Sequence, residues 1–309
     1  MRTTAAKPRD QVGFEWIFVA IRSKWKFSMF AARLHSPRLA SSQPEKQAGG
    51  FWQRMVLVFT SQRREQIRGE LVAAAKADSR ICGAAHLGSA ALGQLDRWSD
   101  IDLALCLAPN VDLNQVLVDW TTLLNRDHAA VAHYDVWSGD ILYRVFLLDN
   151  TLQVDLSFWP TNELRAVGPK FNLIFGAAGE PISAPVPDSE DLIGMAWLYA
   201  LHVRSSIARS RLLQAEYMLS GMRENVLVLM CKHHGVAAVQ GRGLDDLTEE
   251  QKARAAECLV RSLEPVELKR AFRLTMGALI AEVRRADSGL ATKLEGTLNR
   301  IVNCFPLTE

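Results

Sequence analysis

The stretch SDIDLALCL, residues 99–107, constrains the fold most, because it places two aspartates at the start of an otherwise apolar strand. Successive side chains of a strand point to opposite faces, so Asp100 and Asp102 share one face while Ile101 lies on the other. An acid in such a strand normally marks a solvated face. Two acids on one face, shortly after the pair Gly88-Ser89, instead predict a site for cations.

The surrounding pattern predicts alternating helices and strands. Apolar residues at helical spacing and short apolar runs between turn residues predict this order: helix 62–77, strand 80–87, a helix with Ser89 as N-cap, strand 101–107, helix 113–126, and strands 131–137, 141–148 and 152–158. We therefore predict an α+β unit at residues 55–185, built on one mixed β-sheet flanked by helices. After a Pro- and Gly-rich boundary, residues 186–309 predict an all-α helical bundle domain of four to six helices.

Residues 1–54 differ in composition from the remainder. They carry ten Lys or Arg and three Asp or Glu, a net charge of +7, whereas residues 55–309 carry −5. We expect Met55 or a nearby codon to be the native start; the alternative is a basic, peripheral N-terminal arm.

Two features of the sequence bear on the compartment. There is no run of 18 uncharged apolar residues, which excludes a transmembrane helix. Five scattered cysteines without a CxxC pair predict reduced thiols and a cytoplasmic location.

A third carboxylate completes the candidate site. Asp155 lies in LQVDLSF, again between apolar residues. If this strand pairs beside the strand of Asp102, three carboxylates converge, and their repulsion requires cations. Oxygen ligands favour Mg²⁺ or Mn²⁺. Gly88 and Ser89 at a helix N-terminus would add backbone N–H groups for a phosphate, which is what phosphoryl or nucleotidyl transfer needs.

The ordered set HLGS…SDIDLAL…VDLSF resembles the polymerase-beta-type nucleotidyltransferase superfamily, with ten residues between Ser89 and Asp100. The resemblance implies a nucleotidyltransferase-type fold, with ATP or another nucleoside triphosphate (NTP) as co-substrate. It implies that Asp100 and Asp102 hold two metal ions. Asp155 would hold the catalytic ion beside the attacking oxygen, and Gly88 with Ser89 would bind the distal phosphates.

A second motif lies in the helical part. QAEYMLSGMREN, residues 214–225, is similar to a helix of the kanamycin nucleotidyltransferases, and this similarity implies that Glu216 is the base for the acceptor hydroxyl. On one helix, Arg209, Glu216, Ser220 and Arg223 would form a polar stripe. This stripe would bring Arg209 and Arg223 near the phosphates. Arg97, shortly before Asp100, is a further candidate phosphate ligand.

These observations predict a magnesium-dependent nucleotidyltransferase that acts on a hydroxyl of a small molecule. The resemblance implies an aminoglycoside- or lincosamide-like antibiotic as acceptor and a homodimer as the assembly. One alternative is transfer to a macromolecule, tRNA or protein, but the net charge of −5 on residues 55–309 disfavours a nucleic-acid partner. No membrane partner is expected. Another alternative is a non-catalytic nucleotide-binding regulator, which three intact acids disfavour. Incubation with labelled NTPs and an acceptor panel discriminates among them.

Overall fold

The computed structural model describes residues 58–183 and 186–305, which form two compact units that divide just before Val186. The first unit is an α+β structure on a mixed sheet, and the second is all-α. This is the predicted fold class. The predictions for residues 1–54 lie outside the described residues.

The first half of the α+β unit follows the predicted order closely. Its elements are α1 (Ser61–Ala77), β1 (Ile81–Leu87), α2 (Gly88–Ala91), β2 (Ile101–Leu107) and α3 (Leu113–His128). Thr60 begins α1 by accepting a hydrogen bond from the Arg63 N–H at 3.1 Å. Asp112 caps α3 in the same way through the Asn114 N–H.

The second half is entirely β. The predicted strands are β3 (Ala130–Ser138), β4 (Ile141–Leu148) and β5 (Gln153–Trp159); the sequence missed β6 (Arg165–Val167), β7 (Phe171–Phe175) and β8 (Gly179–Ile182). The sequence predicts only a Pro- and Gly-rich boundary here. In the structure, β7 joins the edge of the main sheet beside β1, and β6 and β8 form a small sheet of their own.

The main sheet has the order β3-β4-β5-β2-β1-β7. Within this sheet β2 and β5 run parallel, and the other described neighbours run antiparallel. The register of the parallel pair places Asp102 directly opposite Asp155. The expected pairing of the strand that carries Asp155 beside the strand that carries Asp102 is therefore confirmed.

The two faces of the sheet bury different clusters. One face packs under α1 and α3 through Ile101, Leu103 and Leu105 of β2. The opposite face carries a smaller cluster with Ala104, Cys106, Tyr143, Trp159 and Leu164. Because strands alternate, Asp102 and Asp155 lie on this second face, away from the two helices.

The second unit contains five α-helices within residues 186–305, as the sequence predicts. They are α4 (Ser189–Ala208), α5 (Leu212–His233), α6 (Glu249–Glu257), α7 (Pro265–Ala286) and α8 (Ser288–Asn303). Buried residues recur at helical spacing, for example Leu268, Phe272 and Met276 on α7, and α4, α5, α7 and α8 each contribute an apolar face to a common core.

One glycine on α5 allows two helices to approach closely. A Cβ at Gly221 would lie 2.7 Å from the ring of Tyr199 on α4. This packing gives a structural reason for the glycine in the motif that contains Glu216.

None of the helices in residues 58–183 and 186–305 combines the length and apolar character needed to cross a bilayer.

Candidate active site

Three carboxylates meet at one end of the main sheet. One oxygen from each of Asp100, Asp102 and Asp155 lies within 4.8 Å of the others. Asp102 and Asp155 are buried and face each other across the parallel strands, while Asp100 is half-buried at the entrance to β2. The strand alternation that we read from the sequence therefore does bring the three carboxylates together.

The surroundings of Asp155 disfavour its charged form. Burial, with a smaller contribution from the Asp100 carboxylate, raises the pKa of Asp155 to about 7, although a hydrogen bond from Gln153 opposes both effects. Gln153 Nε2 donates to both oxygens of Asp155 at 3.0 Å. The sequence analysis missed Gln153, although its position two residues before Asp155 on the same strand face is visible in the sequence.

A glycine turn closes the site on the side of β1. Gly88 has a φ of +59°, and a Cβ there would lie against Oδ2 of Asp102 and 3.1 Å from its Cγ. Glycine is needed at this position both for the left-handed backbone and for the close approach to the carboxylate. The backbone of the GS pair consequently lies beside the acidic cluster, as expected.

The helix after this turn differs from the prediction. It begins at Gly88 rather than after Ser89, its N-cap position is Leu87, and it spans four residues. Ser89 therefore lies in the first turn and is not the N-cap, because the chain bends at Gly88. The N–H groups of a first helical turn have no acceptor within the helix, and in the proposed role those of Gly88 and Ser89 would bind a phosphate.

A buried arginine fixes the loop that leads into β2. Arg64 of α1 is 3% exposed; its Nη1 donates to the carbonyl oxygen of Ser99 at 3.2 Å and also to that of Asp96. These bonds hold the chain immediately before Asp100. The sequence analysis missed Arg64, although it lies three residues before Ile67 and so shares the helix face of the buried residues Ile67, Leu71 and Ala75.

Arg97 lies in the same loop and is exposed. Its guanidinium carbon stands 4.5 Å from the centroid of the Trp98 ring, an arrangement typical of a cation–π contact. Its expected contact with a phosphate stays a prediction.

The remaining predicted residues lie in the helical unit. Ser220 Oγ donates to Glu216 Oε1 at 2.6 Å, and Arg223 Nη2 donates to Ser220 Oγ at 2.8 Å and lies 3.8 Å from the same Glu216 oxygen. These three residues share one face of α5, as predicted. Arg209 does not belong to this face: it is the C-cap of α4, and Ser210 with a φ of +53° separates the two helices.

Comparisons with known proteins add little to this geometry. No family model matches the chain, and no curated protein matches it. Among solved structures, the chain is similar to an aminoglycoside 6-adenyltransferase from Bacillus subtilis, with 12% sequence identity and a TM-score of 0.35 over 80% of this chain and 100% of that one. Function is therefore inferred from the site itself.

Proposed function

We propose that this protein is a nucleotidyltransferase. It would transfer a nucleoside monophosphate from an NTP, ATP in the first instance, to a hydroxyl of a small molecule and release pyrophosphate. The observation that carries the proposal is the convergence of Asp100, Asp102 and Asp155 within 4.8 Å beside the positive-φ turn at Gly88. Acidic ligands next to the first turn of a helix suit a substrate that brings both cations and phosphates.

The donor set fits a hard divalent cation. All three ligands are carboxylates, two of them are buried, and one has its pKa raised to about 7 by burial and by a neighbouring acid. Oxygen ligands of this kind suit Mg²⁺ or Mn²⁺ better than Zn²⁺. When bound, two such ions would neutralise the triphosphate and stabilise the attacking and leaving oxygens.

The residues of the chain then take distinct roles in the proposal. Asp100 and Asp102 hold the cations at the entrance of β2, and Asp155 lies beside the attacking hydroxyl. Backbone N–H groups at Gly88 and Ser89 bind the distal phosphates.

The proton of the acceptor hydroxyl needs a base. We assign this role to Glu216, whose carboxylate accepts a hydrogen bond from Ser220 and is therefore held in one orientation. Arg97 and Arg223 are the candidate phosphate ligands in this proposal.

The test measures transfer directly. The full chain is incubated with each α-labelled NTP, with Mg²⁺ or Mn²⁺, and with a panel of hydroxylated acceptors, tRNA and protein. Asp102→Asn is expected to lower transfer by about 10³-fold, because it removes a ligand of both ions while keeping the shape of the side chain. Asp140→Asn, on the exposed turn between β3 and β4, is the control for a change of one charge.

Each contrary result has a definite meaning. Near-normal turnover of Asp102→Asn would disprove the proposed metal site. Label in tRNA or protein, with none in the small molecules, would replace the acceptor class. Nucleotide binding without pyrophosphate release would favour the regulator.

A further inference from the structure

Four uncharged side chains continue the face of the sheet on which the carboxylates lie. Val145 of β4 is the register partner of Asp155, and Tyr134 of β3 is the partner of Val145. One step further out, Leu147 is paired with Gln153 and with Ala132. We call these residues, Ala132, Tyr134, Val145 and Leu147, the apolar shelf.

The apolar shelf lies at the boundary between the buried and the exposed parts of this sheet face. The next row inward, which includes Ser157, Tyr143 and Val136, is buried. In the shelf, by contrast, Tyr134 is 58% exposed and Leu147 is 49% exposed. Single exposed apolar residues are common on protein surfaces, whereas an apolar patch that continues into a polar site is uncommon. An exposed apolar surface that borders buried carboxylates is therefore a candidate ligand-binding surface.

The position of the shelf indicates which substrate it would receive. The Gly88 turn touches Asp102 from the side of β1, whereas the shelf extends from Asp155 on the side of β4. Strands lie about 4.8 Å apart, so the Cα of Tyr134 stands roughly 10 Å from that of Asp155. If the triphosphate lies on the Gly88 side, the shelf is within reach of an acceptor whose hydroxyl is at Asp155.

Resting on the proposed function, we propose that the apolar shelf binds the acceptor, and that the acceptor presents an apolar or aromatic ring face next to its hydroxyl. A ring would stack on Tyr134 and cover Val145 and Leu147. A polycationic aminosugar is a poor fit, because the four shelf side chains carry no charge and the neighbouring carboxylates are the proposed ligands of metal ions.

The binding test uses 4-nitrophenyl β-D-glucopyranoside, which joins an aromatic ring to a hydroxylated sugar. Saturation-transfer NMR and calorimetry on the full chain with MgATP are expected to show contact with the aryl ring. Tyr134→Ser and Leu147→Ser should each raise Kd by about tenfold, since each removes an apolar contact. Trp137→Ser is the matched control, because Trp137 is 49% exposed on the same strand but on the opposite face.

A transfer test separates this proposal from the one on which it rests. With labelled ATP, the aryl glycoside is expected to be a better acceptor than kanamycin, and the two shelf variants should raise its KM with kcat within a few-fold of wild type. Preference for kanamycin, equal effects of Trp137→Ser and Tyr134→Ser, or no binding of the aryl glycoside would overturn the shelf. If shelf binding persists while Asp102→Asn leaves transfer unchanged, the shelf stands and the proposed metal site fails.

Discussion

Replacing Asp155 by asparagine should make the metal-free protein more stable at neutral pH. Burial and Asp100 raise the pKa of Asp155 from 3.8 to about 7 in the folded chain. A group whose folded pKa is raised in this way binds its proton more tightly in the folded state. Its contribution to stability is thus fully present below about pH 4 and is lost as the pH rises to about 7. One pKa unit corresponds to about 1.4 kcal/mol, so the full loss is about 4 kcal/mol.

Urea unfolding in EDTA between pH 4 and pH 8 measures this difference. We expect wild type and Asp155→Asn to be similar near pH 4, and the variant to become more stable by up to about 4 kcal/mol near pH 8. Adding Mg²⁺ or Mn²⁺ at pH 8 should raise the stability of wild type, because cations bind the deprotonated carboxylate of Asp155. The stability of the variant, which lacks this carboxylate, should not rise in the same way. The stability of Asp140→Asn relative to wild type should not depend on pH. If the stability of Asp155→Asn relative to wild type were equally independent of pH, the reasoning would be refuted.

Two further predictions concern the turn and the base. Gly88→Ala and Gly93→Ala should each cost about 1–2 kcal/mol of stability, because both glycines have a positive φ. Only Gly88→Ala should lose transfer, because a Cβ at Gly88 displaces Asp102 whereas one at Gly93 meets nothing within 4 Å. Equal transfer by the two variants would contradict the role of the turn. Glu216→Gln should lower kcat by about 10²-fold with nucleotide affinity unchanged, measured against Glu224→Gln on the same helix, and an unchanged kcat would point to another base.

The arrangement of the acids was predictable because a strand has a strict period of two. Placing Asp100 and Asp102 on one face follows from their spacing, and placing Asp155 on that face as well required a single assumption about which strands are neighbours. The bounds of β2 and β4 also match the prediction to the residue, since turn residues or acids flank each apolar run.

The errors arose where the local sequence is ambiguous. Gly and Pro around residues 160–185 predict loops, and the short strand β7 owes its pairing to the free edge of β1, which is a tertiary effect. Apolar periodicity continues from α4 into α5, so nothing in the pattern reveals the left-handed turn at Ser210 that separates Arg209 from Glu216. Helical spacing places Arg64 on the face of Ile67 and Leu71, but its partners, the carbonyl oxygens of Asp96 and Ser99, lie in a distant loop that the sequence of the helix does not indicate.

The backbone holds the three carboxylates of the proposed cation site close together. Asp102 and Asp155 are register partners on adjacent parallel strands, so side-chain rotation alone cannot move their charges far apart, and Asp100 adds a third charge to the same face. Burial and, to a smaller extent, the Asp100 carboxylate raise the pKa of Asp155 to about 7, so without a cation this carboxyl group holds a proton below that pH. Cation binding must therefore displace that proton below pH 7, and the apparent affinity for Mg²⁺ should fall about tenfold for each pH unit below that point. Calorimetry in buffers of different ionisation enthalpy would detect the released proton, and binding without proton release at pH 6 would show that the cation does not contact Asp155.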